Sequence, residues 1–284
     1  MQIRPMPTRR DFLTTLGVAL GAASLGGARA LGAENVARRL PRVGIQLYTL
    51  RDLMKADLDG TLARVAGIGY KEVEFAGYFG RTPAQIRDVL KANGLTSPSA
   101  HIPMPASDDA WKKAVDDAKF IGHEWAVLPW LDPAIRKDWP QLADRFNALA
   151  VLTKNAGLRF AYHNHDFEFA RVGSGTAFDI LLAKTDPKLV EFEMDLYWVV
   201  KGGGDPLALF KRYPHRFPLM HAKDATAAPE RKMADVGSGT INFATIFRQA
   251  KGSGMKHVYV ERDDATDPMQ SATNSYRYLS ALKY

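Results

Sequence analysis

The sequence predicts a single (β/α)8 barrel preceded by a signal segment, and three observations support the barrel. Short apolar strand patterns alternate with longer helical patterns eight times from Pro41 to the end of the chain. Several helical patterns end at a glycine, the usual residue between a helix and a short loop. His, Asp and Glu residues gather where the predicted strands end, which is where the active sites of such barrels lie.

Each predicted strand is short, and most are rich in Val, Ile, Phe, Tyr or Leu, as strands buried on both faces should be. The predicted strands are Val43–Tyr48, Lys71–Ala76, Thr96–Ile102, Trp125–Leu131, Leu158–His163, Leu189–Asp195, Phe217–His221 and His257–Glu261. The predicted helices are Leu58–Ile68, Pro83–Ala92, Asp109–Ile121, Pro140–Ala156, Phe178–Lys184, Pro206–Tyr213, Phe243–Ala250 and Ser271–Leu282. A doubly wound sheet is the alternative, but it usually has a glycine-rich turn after its first strand. Here Thr49-Leu50-Arg51-Asp52 follows that strand.

Length and composition fit one barrel-sized domain or two small ones, with 284 residues of which 46% are hydrophobic. The chain has no cysteine, which excludes disulfides, thiolate zinc sites and a cysteine nucleophile. The formal net charge is +7, yet no run of Lys and Arg with interleaved aromatics occurs, so we expect no nucleic-acid partner.

Residues 1–30 have the layout of a secretory signal: a charged start, a short apolar run and small residues before a cleavage point. Arg9 and Arg10 precede Phe12-Leu13, which resembles the twin-arginine type. An amphipathic helix is the alternative, but the run from Leu13 to Gly27 has no polar stripe of helical period. It is also too short and too rich in Gly and Ala for a stable membrane span. We therefore expect the twin-arginine machinery to export a periplasmic or secreted protein, with residues 31–284 forming the barrel.

Four of the seven histidines stand at predicted strand ends, together with several carboxylates. These residues are Glu74, His101, His163, His165, Glu193, Asp195, His221 and Glu261. Such groups at one end of a barrel repel or desolvate one another unless a cation lies among them. Histidine and carboxylate ligands without cysteine suit Mn, Co, Mg or Zn, so we predict one divalent ion. Each residue alone has a plainer interpretation, as a buried histidine with a partner or a surface carboxylate.

Several strings of the chain resemble the xylose isomerase-like TIM barrel superfamily, and in particular its sugar phosphate isomerase/epimerase branch. The most specific are Tyr162-His163-Asn164-His165-Asp166-Phe167-Glu168-Phe169 and Asp195-Leu196-Tyr197-Trp198-Val199. The others are Gly44–Arg51, Val73–Gly77, Ser99–His101, His221–Asp224, Val236–Gly239 and Val260–Asp263.

The resemblance implies a divalent ion held by Glu, Asp, His and Glu from strands five to eight. Asp195, His221 and Glu261 occupy the last three positions, and His163 stands where relatives often have the first Glu. His165 and Glu168 are the other candidates for that fourth ligand.

The implied reaction is removal of a proton next to a carbonyl, through an enediolate that the metal stabilises. His165 or Glu261 would be the base, and Lys223 would hydrogen-bond the developing oxyanion or pair with Asp224. Residues expected to bind the sugar or polyol substrate are Glu74, His101, Glu168, Trp130 and Trp198, with packing as the alternative role of each tryptophan.

The function predicted first is a metal-dependent sugar isomerase or epimerase. The second is a lyase or hydratase acting on a keto-sugar such as a 3-keto-glycoside or an inosose, and the third is a non-catalytic periplasmic sugar-binding barrel. The Gly237-Ser238-Gly239 loop is a weak phosphate signal, and a flexible loop is its plainer interpretation. The sequence leaves the sugar, the ion and the oligomeric state open.

Overall fold

The computed structural model describes residues 38–284, which form a closed barrel of eight parallel strands. The strands are β1 Gly44–Gln46, β2 Glu72–Phe75, β3 Thr96–His101, β4 Trp125–Leu128, β5 Arg159–His163, β6 Val190–Asp195, β7 Leu219–Ala222 and β8 His257–Val260. Consecutive strands are neighbours, and β8 closes the barrel on β1 with Gly44 opposite Tyr259. This confirms the predicted (β/α)8 architecture.

Ten α-helices lie within the described residues, most of them on the outside of the barrel. They are α1 Arg51–Ala56, α2 Leu58–Ile68, α3 Pro83–Ala92, α4 Asp108–Ile121, α5 Trp139–Asn155, α6 Ala177–Lys184, α7 Leu196–Lys201, α8 Pro206–Arg212, α9 Phe243–Gln249 and α10 Pro268–Ala281. All eight predicted helices are present, with ends shifted by a few residues. The six-residue helices α1 and α7 were not predicted, because so few residues give no readable helical period.

Short polar side chains fix where the helices begin. Asp57, Thr82, Ser107, Asp138 and Asp205 precede α2, α3, α4, α5 and α8, and each accepts a hydrogen bond from an N–H of the first turn. Proline occupies the first turn of α3, α5 and α8, where its missing N–H costs nothing. These caps end each loop at a defined residue.

Alternate residues of each strand point into the barrel, and their chemistry changes along its axis. A separate apolar cluster fills the middle of the interior with Trp125, Val127, Ala161, Leu219 and Tyr259. The next inward positions toward the carboxyl ends of the strands are polar, and all of them are buried except His101, which is partly buried. They are Gln46, Glu74, His101, His163, Glu193, Asp195 and His221. The polar layer therefore lies directly against the apolar cluster, on the side of the strands' carboxyl ends.

The predicted signal segment, residues 1–30, lies outside the described residues, so export stays a prediction. Among the helices of residues 38–284, none combines the length and the apolar character needed to cross a membrane.

Close packing inside the barrel predicts that Gly44→Ala is destabilising. A Cβ at Gly44 would lie 2.4 Å from Cδ1 of Tyr259, whose hydroxyl is held by Ser99 Oγ at 2.9 Å. We expect the free energy of unfolding, measured by urea titration, to fall by about 1–3 kcal/mol. Gly67→Ala in α2 is the control, because a Cβ there meets no atom within 4 Å. An equal effect of the two substitutions would contradict the tight contact.

Candidate active site and metal centre

The structure brings together the four residues predicted to bind a metal. One ligand atom from each of His163, Asp195, His221 and Glu261 lies within 4.8 Å of the others. All four side chains are buried, with exposed fractions of 3%, 0%, 0% and 4%. We call these four residues the floor of the site. They come from β5, from β6, from β7 and from the position directly after β8, so strand parity alone aims them at one point.

The floor atoms fit a cation. His163 Nε2 and Asp195 Oδ2 are buried, lie 3.5 Å apart and have no hydrogen-bond partner. His163 Nδ1 lies 3.2 Å from the carbonyl oxygen of Pro129, to which it can donate a hydrogen bond. That bond leaves the Nε2 lone pair facing Asp195, as a metal-binding histidine requires. Two nitrogens and two carboxylates without sulfur are the donor set expected for Mn, Co, Mg or Zn.

A second buried group lies beneath the floor and shares His221 with it. Glu74 Oε2 lies 2.7 Å from His221 Nε2, and Glu193 Oε2 lies 2.8 Å from His101 Nε2. Gln46 Nε2 also donates to Glu74 Oε2 at 2.8 Å. Burial opposes protonation of His221, but the charges of Glu193 and Glu261 outweigh burial and raise its pKa well above the ordinary value. Glu74, expected at the substrate, instead lies under the floor and orients His221.

A cavity of about 470 Å³ opens above the floor. Its lining comprises Tyr48, Ala76, Gly77, His101, Pro103, Pro129, Trp130, His163, His165, Lys223, Glu261 and Asp263. The polar lining comes mainly from the ends of β5, β7 and β8, and the apolar lining from the ends of β1 to β4. The cavity therefore has an apolar wall at the ends of β1 to β4 and a polar wall, which consists of His163, His165, Lys223, Glu261 and Asp263. Of the predicted substrate-binding residues, His101 and Trp130 line the cavity.

Lys223 lies on the polar wall with only 1% of its surface exposed. Its Nζ donates to Glu261 Oε2 and Asp263 Oδ2, both at 2.8 Å. Burial disfavours the ammonium, but Glu261, Asp195 and Asp263 outweigh burial and raise the pKa of Lys223. The lysine is therefore charged at neutral pH. Its salt bridges are made with these carboxylates rather than with Asp224, the partner considered from sequence.

Asp224 instead fills the glycine-containing loop that follows β7. Its carboxylate accepts hydrogen bonds from the N–H groups of Ala225, Gly237, Gly239 and Ile241 at 2.8–3.1 Å. Loops after strand seven often offer such N–H groups to phosphate. Here the side chain of Asp224 already accepts these N–H groups, so they are not free to bind a phosphate.

His165 lines the cavity between two aromatic rings, with centroids 5.6 Å from Phe167 and 5.4 Å from Trp198. Burial and the nearby His163 and Lys223 lower the pKa of His165 to about 2, so its imidazole is neutral at pH 7. Trp198 lies behind His165 and Lys223, with Lys223 Nζ 5.2 Å from its ring centroid, and is not part of the cavity lining.

Glu168 does not line the cavity either. It is fully buried, accepts a hydrogen bond from the Tyr162 hydroxyl, and accepts the His165 N–H at 2.9 Å. It therefore fixes the backbone of the loop that presents His165. The expectation that Glu168 contacts substrate or metal is corrected to this supporting position.

Two polar lining residues, Asp263 and Tyr48, were absent from the predicted site. Asp263 stands two residues after Glu261 and continues the inward parity of β8. Tyr48 lies in the 3-10 turn Leu47–Leu50 directly after β1. Burial, with the charge of Glu261, raises the pKa of Asp263 to about 6. Extending the parity of β8 by one more repeat would have found Asp263.

The burial of Glu168 predicts a pH-dependent stability. Burial raises its pKa from 4.5 to about 7, although the hydrogen bonds it accepts act the other way. Because the folded-state pKa is the higher one, this contribution to stability is complete below pH 4.5 and is lost as the pH rises through about 7.

Glu168→Gln keeps the uncharged shape at every pH. Relative to this variant, the free energy of unfolding of the wild type should fall by about 2–3 kcal/mol between pH 5 and pH 8. Urea titrations at the two pH values measure the difference. A constant difference would show that Glu168 is ionised throughout.

Known proteins resemble this chain over most of its length. The chain is 24% identical over 272 residues to an inosose dehydratase of Geobacillus kaustophilus (strain HTA426), a match covering 79% of this chain and 87% of that protein. A solved sugar phosphate isomerase/epimerase from Parabacteroides distasonis ATCC 8503 is 31% identical, with a TM-score of 0.75, covering 84% of this chain and 94% of the other. A second solved protein of that description and organism is 26% identical, with a TM-score of 0.73, covering 85% and 98%.

The sequence profile of the xylose isomerase-like TIM barrel family matches residues 62–282. That range contains the last seven strands of the barrel and all four floor residues. The chain therefore belongs to the xylose isomerase-like TIM barrel family.

Proposed function

We propose that this protein is a metal-dependent enzyme that removes a proton next to the carbonyl of a keto-sugar. One observation supports the proposal above all: the floor atoms of His163, Asp195, His221 and Glu261 converge beneath a cavity of substrate size. A sugar-binding protein without catalysis needs the cavity but has no need of four buried, converging ligand groups.

The four floor residues would hold the ion. When bound, a divalent ion there supplies Lewis acidity toward a carbonyl oxygen of the substrate. Glu74 and Pro129 keep the two histidine rings in place, since each accepts a hydrogen bond from the ring nitrogen that faces away from the floor centre.

Residues of the polar wall would carry out the proton transfer. Glu261 Oε2 and the neutral ring of His165 are the two groups placed to accept the substrate proton. Lys223 remains an ammonium 2.8 Å from Glu261 Oε2, so its Nζ can donate a hydrogen bond to an oxygen that gains negative charge. The rings of Phe167 and Trp198 pack against His165 and shield part of its ring from water.

Isomerisation or epimerisation would return the proton to the sugar. A second candidate is elimination, in which a hydroxyl or alkoxide leaves the carbon next to the one that loses its proton. The adjacency of Glu261 and Lys223 favours it, because elimination uses a base together with a hydrogen-bond donor for the departing oxygen. The relatives named inosose dehydratase support the same candidate.

Metal binding is the first test. We expect about one divalent ion per chain after dialysis, measured by elemental analysis. Glu74→Gln should weaken binding about 10–100-fold, because it loosens His221. Glu72→Gln is the matched control, since Glu72 lies on the same strand but contacts His257 and Arg42 at the opposite end. A metal-free wild type, with no activity restored by Mn or Co, would contradict the proposal.

Solvent exchange tests the chemistry. The Mn-loaded protein should incorporate deuterium from D2O next to the carbonyl of D-fructose, of an inosose or of a 3-keto-glucoside, as read by NMR. Glu261→Gln should slow exchange about 10²-fold or more. Glu191→Gln, on β6 at the opposite end beside Trp125 and Arg159, should leave the rate unchanged.

Mass spectrometry of the products separates the two candidates. An isomer of unchanged mass indicates isomerisation or epimerisation, whereas loss of water or of an alcohol indicates elimination. Full exchange in Glu261→Gln would remove Glu261 from the mechanism, and no exchange with any of the three sugars would refute the proposed reaction.

A further inference from the structure

Two aromatic side chains stand exposed at the entrance of the cavity. Tyr48, after β1, is 44% exposed and Trp130, after β4, is 45% exposed, and both line the cavity. We call this pair the rim. Large exposed apolar side chains on a soluble protein mark binding surfaces when they gather at one place. The rim and the floor are therefore the two ends of one cavity, an aromatic entrance and a buried polar base.

Each rim ring is held from one side by an arginine. The guanidinium carbon of Arg51 lies 4.4 Å from the centroid of Tyr48, and that of Arg136 lies 5.1 Å from the centroid of Trp130. Backbone oxygens hold both guanidinium groups in turn. Arg51 donates to Asp263 O at 2.9 Å, and Arg136 donates to Leu131 O at 2.6 and 2.9 Å.

The backbone under Tyr48 is fixed as well. The Gln46 side chain accepts the Tyr48 N–H at 3.0 Å, and the same side chain donates to Glu74 below the floor. The rim rings are thus exposed yet pre-organised, which lowers the entropy cost of stacking a ligand on them. Flat aromatic faces of this kind bind the apolar face of a ring.

A ligand ring stacked on the rim lies at a different depth of the cavity from the ligand ring that reacts. Proton removal requires the reacting carbon to lie near Glu261 and His165, and the floor residues are at most 4% exposed. The rim is more than ten times as exposed, so it faces whatever part of the ligand extends toward solvent. A cavity of 470 Å³ also falls in the range of about 300–1,000 Å³ that holds drug-sized ligands.

We propose that Tyr48 and Trp130 form a subsite for a second ring, so that the substrate is a glycoside whose reacting sugar occupies the floor and whose aglycone ring stacks at the rim. This inference rests on the proposed function and adds the substrate class to it. The aglycone is either a second sugar or an aromatic ring, since both offer a flat apolar face.

Binding of unreactive glycosides to the purified, Mn-loaded full chain tests the subsite without relying on turnover. Isothermal titration calorimetry compares methyl β-D-glucopyranoside, which has no second ring, with cellobiose and with phenyl β-D-glucopyranoside. We expect at least one two-ring ligand to bind about tenfold more tightly than the methyl glucoside. The tighter of the two identifies the aglycone as sugar or aromatic.

Tyr48→Ala and Trp130→Ala should each reduce the preference for the two-ring ligand. In the double variant, the affinities for the two-ring ligand and for the methyl glucoside should differ by no more than about twofold, while the affinity for the methyl glucoside itself changes little. Phe120→Ala is the matched control, because Phe120 is 49% exposed and stacked by Arg87 at 4.3 Å but does not line the cavity. The Phe120→Ala variant should prefer the two-ring ligand over the methyl glucoside as strongly as the wild type does.

A preference that is absent, or that survives loss of both rim rings, would overturn the second-ring subsite while leaving the proposed reaction intact. Failure of all three ligands to bind would overturn the glycoside substrate class, whereas the proposed reaction would still be decided by deuterium exchange with D-fructose or an inosose.

Discussion

The carboxyl end of the barrel depends on one imidazole between two groups of buried carboxylates. His221 Nε2 lies 2.7 Å from Glu74 Oε2, and its Nδ1 lies 3.0 Å from Glu261 Oε2. A buried carboxylate without a partner costs several kcal/mol. With His221 removed, the carboxylates of the floor and of the layer below would face one another across a void. The same ring therefore supports the fold and points a nitrogen at the site.

The positive charges of the polar layer lie next to its buried carboxylates. Lys223 compensates Glu261 and Asp263 on one side, while His101 compensates Glu193 on the other. Several buried polar atoms have no hydrogen-bond partner: His163 Nε2 and Asp195 Oδ2 at the floor, and Glu74 Oε1 and Glu193 Oε1 in the layer below. A divalent ion at the floor would place positive charge beside Asp195 Oδ2 and would accept the lone pair of His163 Nε2.

Strand periodicity predicted most of this arrangement, because parity in a closed parallel barrel fixes which side chains converge. The resemblance to the xylose isomerase-like superfamily, rather than parity, selected His163 over His165 and Glu168. Periodicity does not give depth: Glu74 points inward as predicted, but it is fully buried and does not line the cavity. Glu168 lies in a 3-10 turn, Phe167–Phe169, where no repeating pattern indicates the direction of a side chain.

The carboxylate of Asp224 has a consequence for which anions the site can accept. The N–H groups of Gly237, Gly239 and Ile241 already bind an anion that is attached to the same chain. Its effective concentration far exceeds that of any dissolved competitor. Inorganic phosphate therefore has no binding site at this loop. A phosphorylated sugar would gain no affinity from the loop relative to the same sugar with a free hydroxyl.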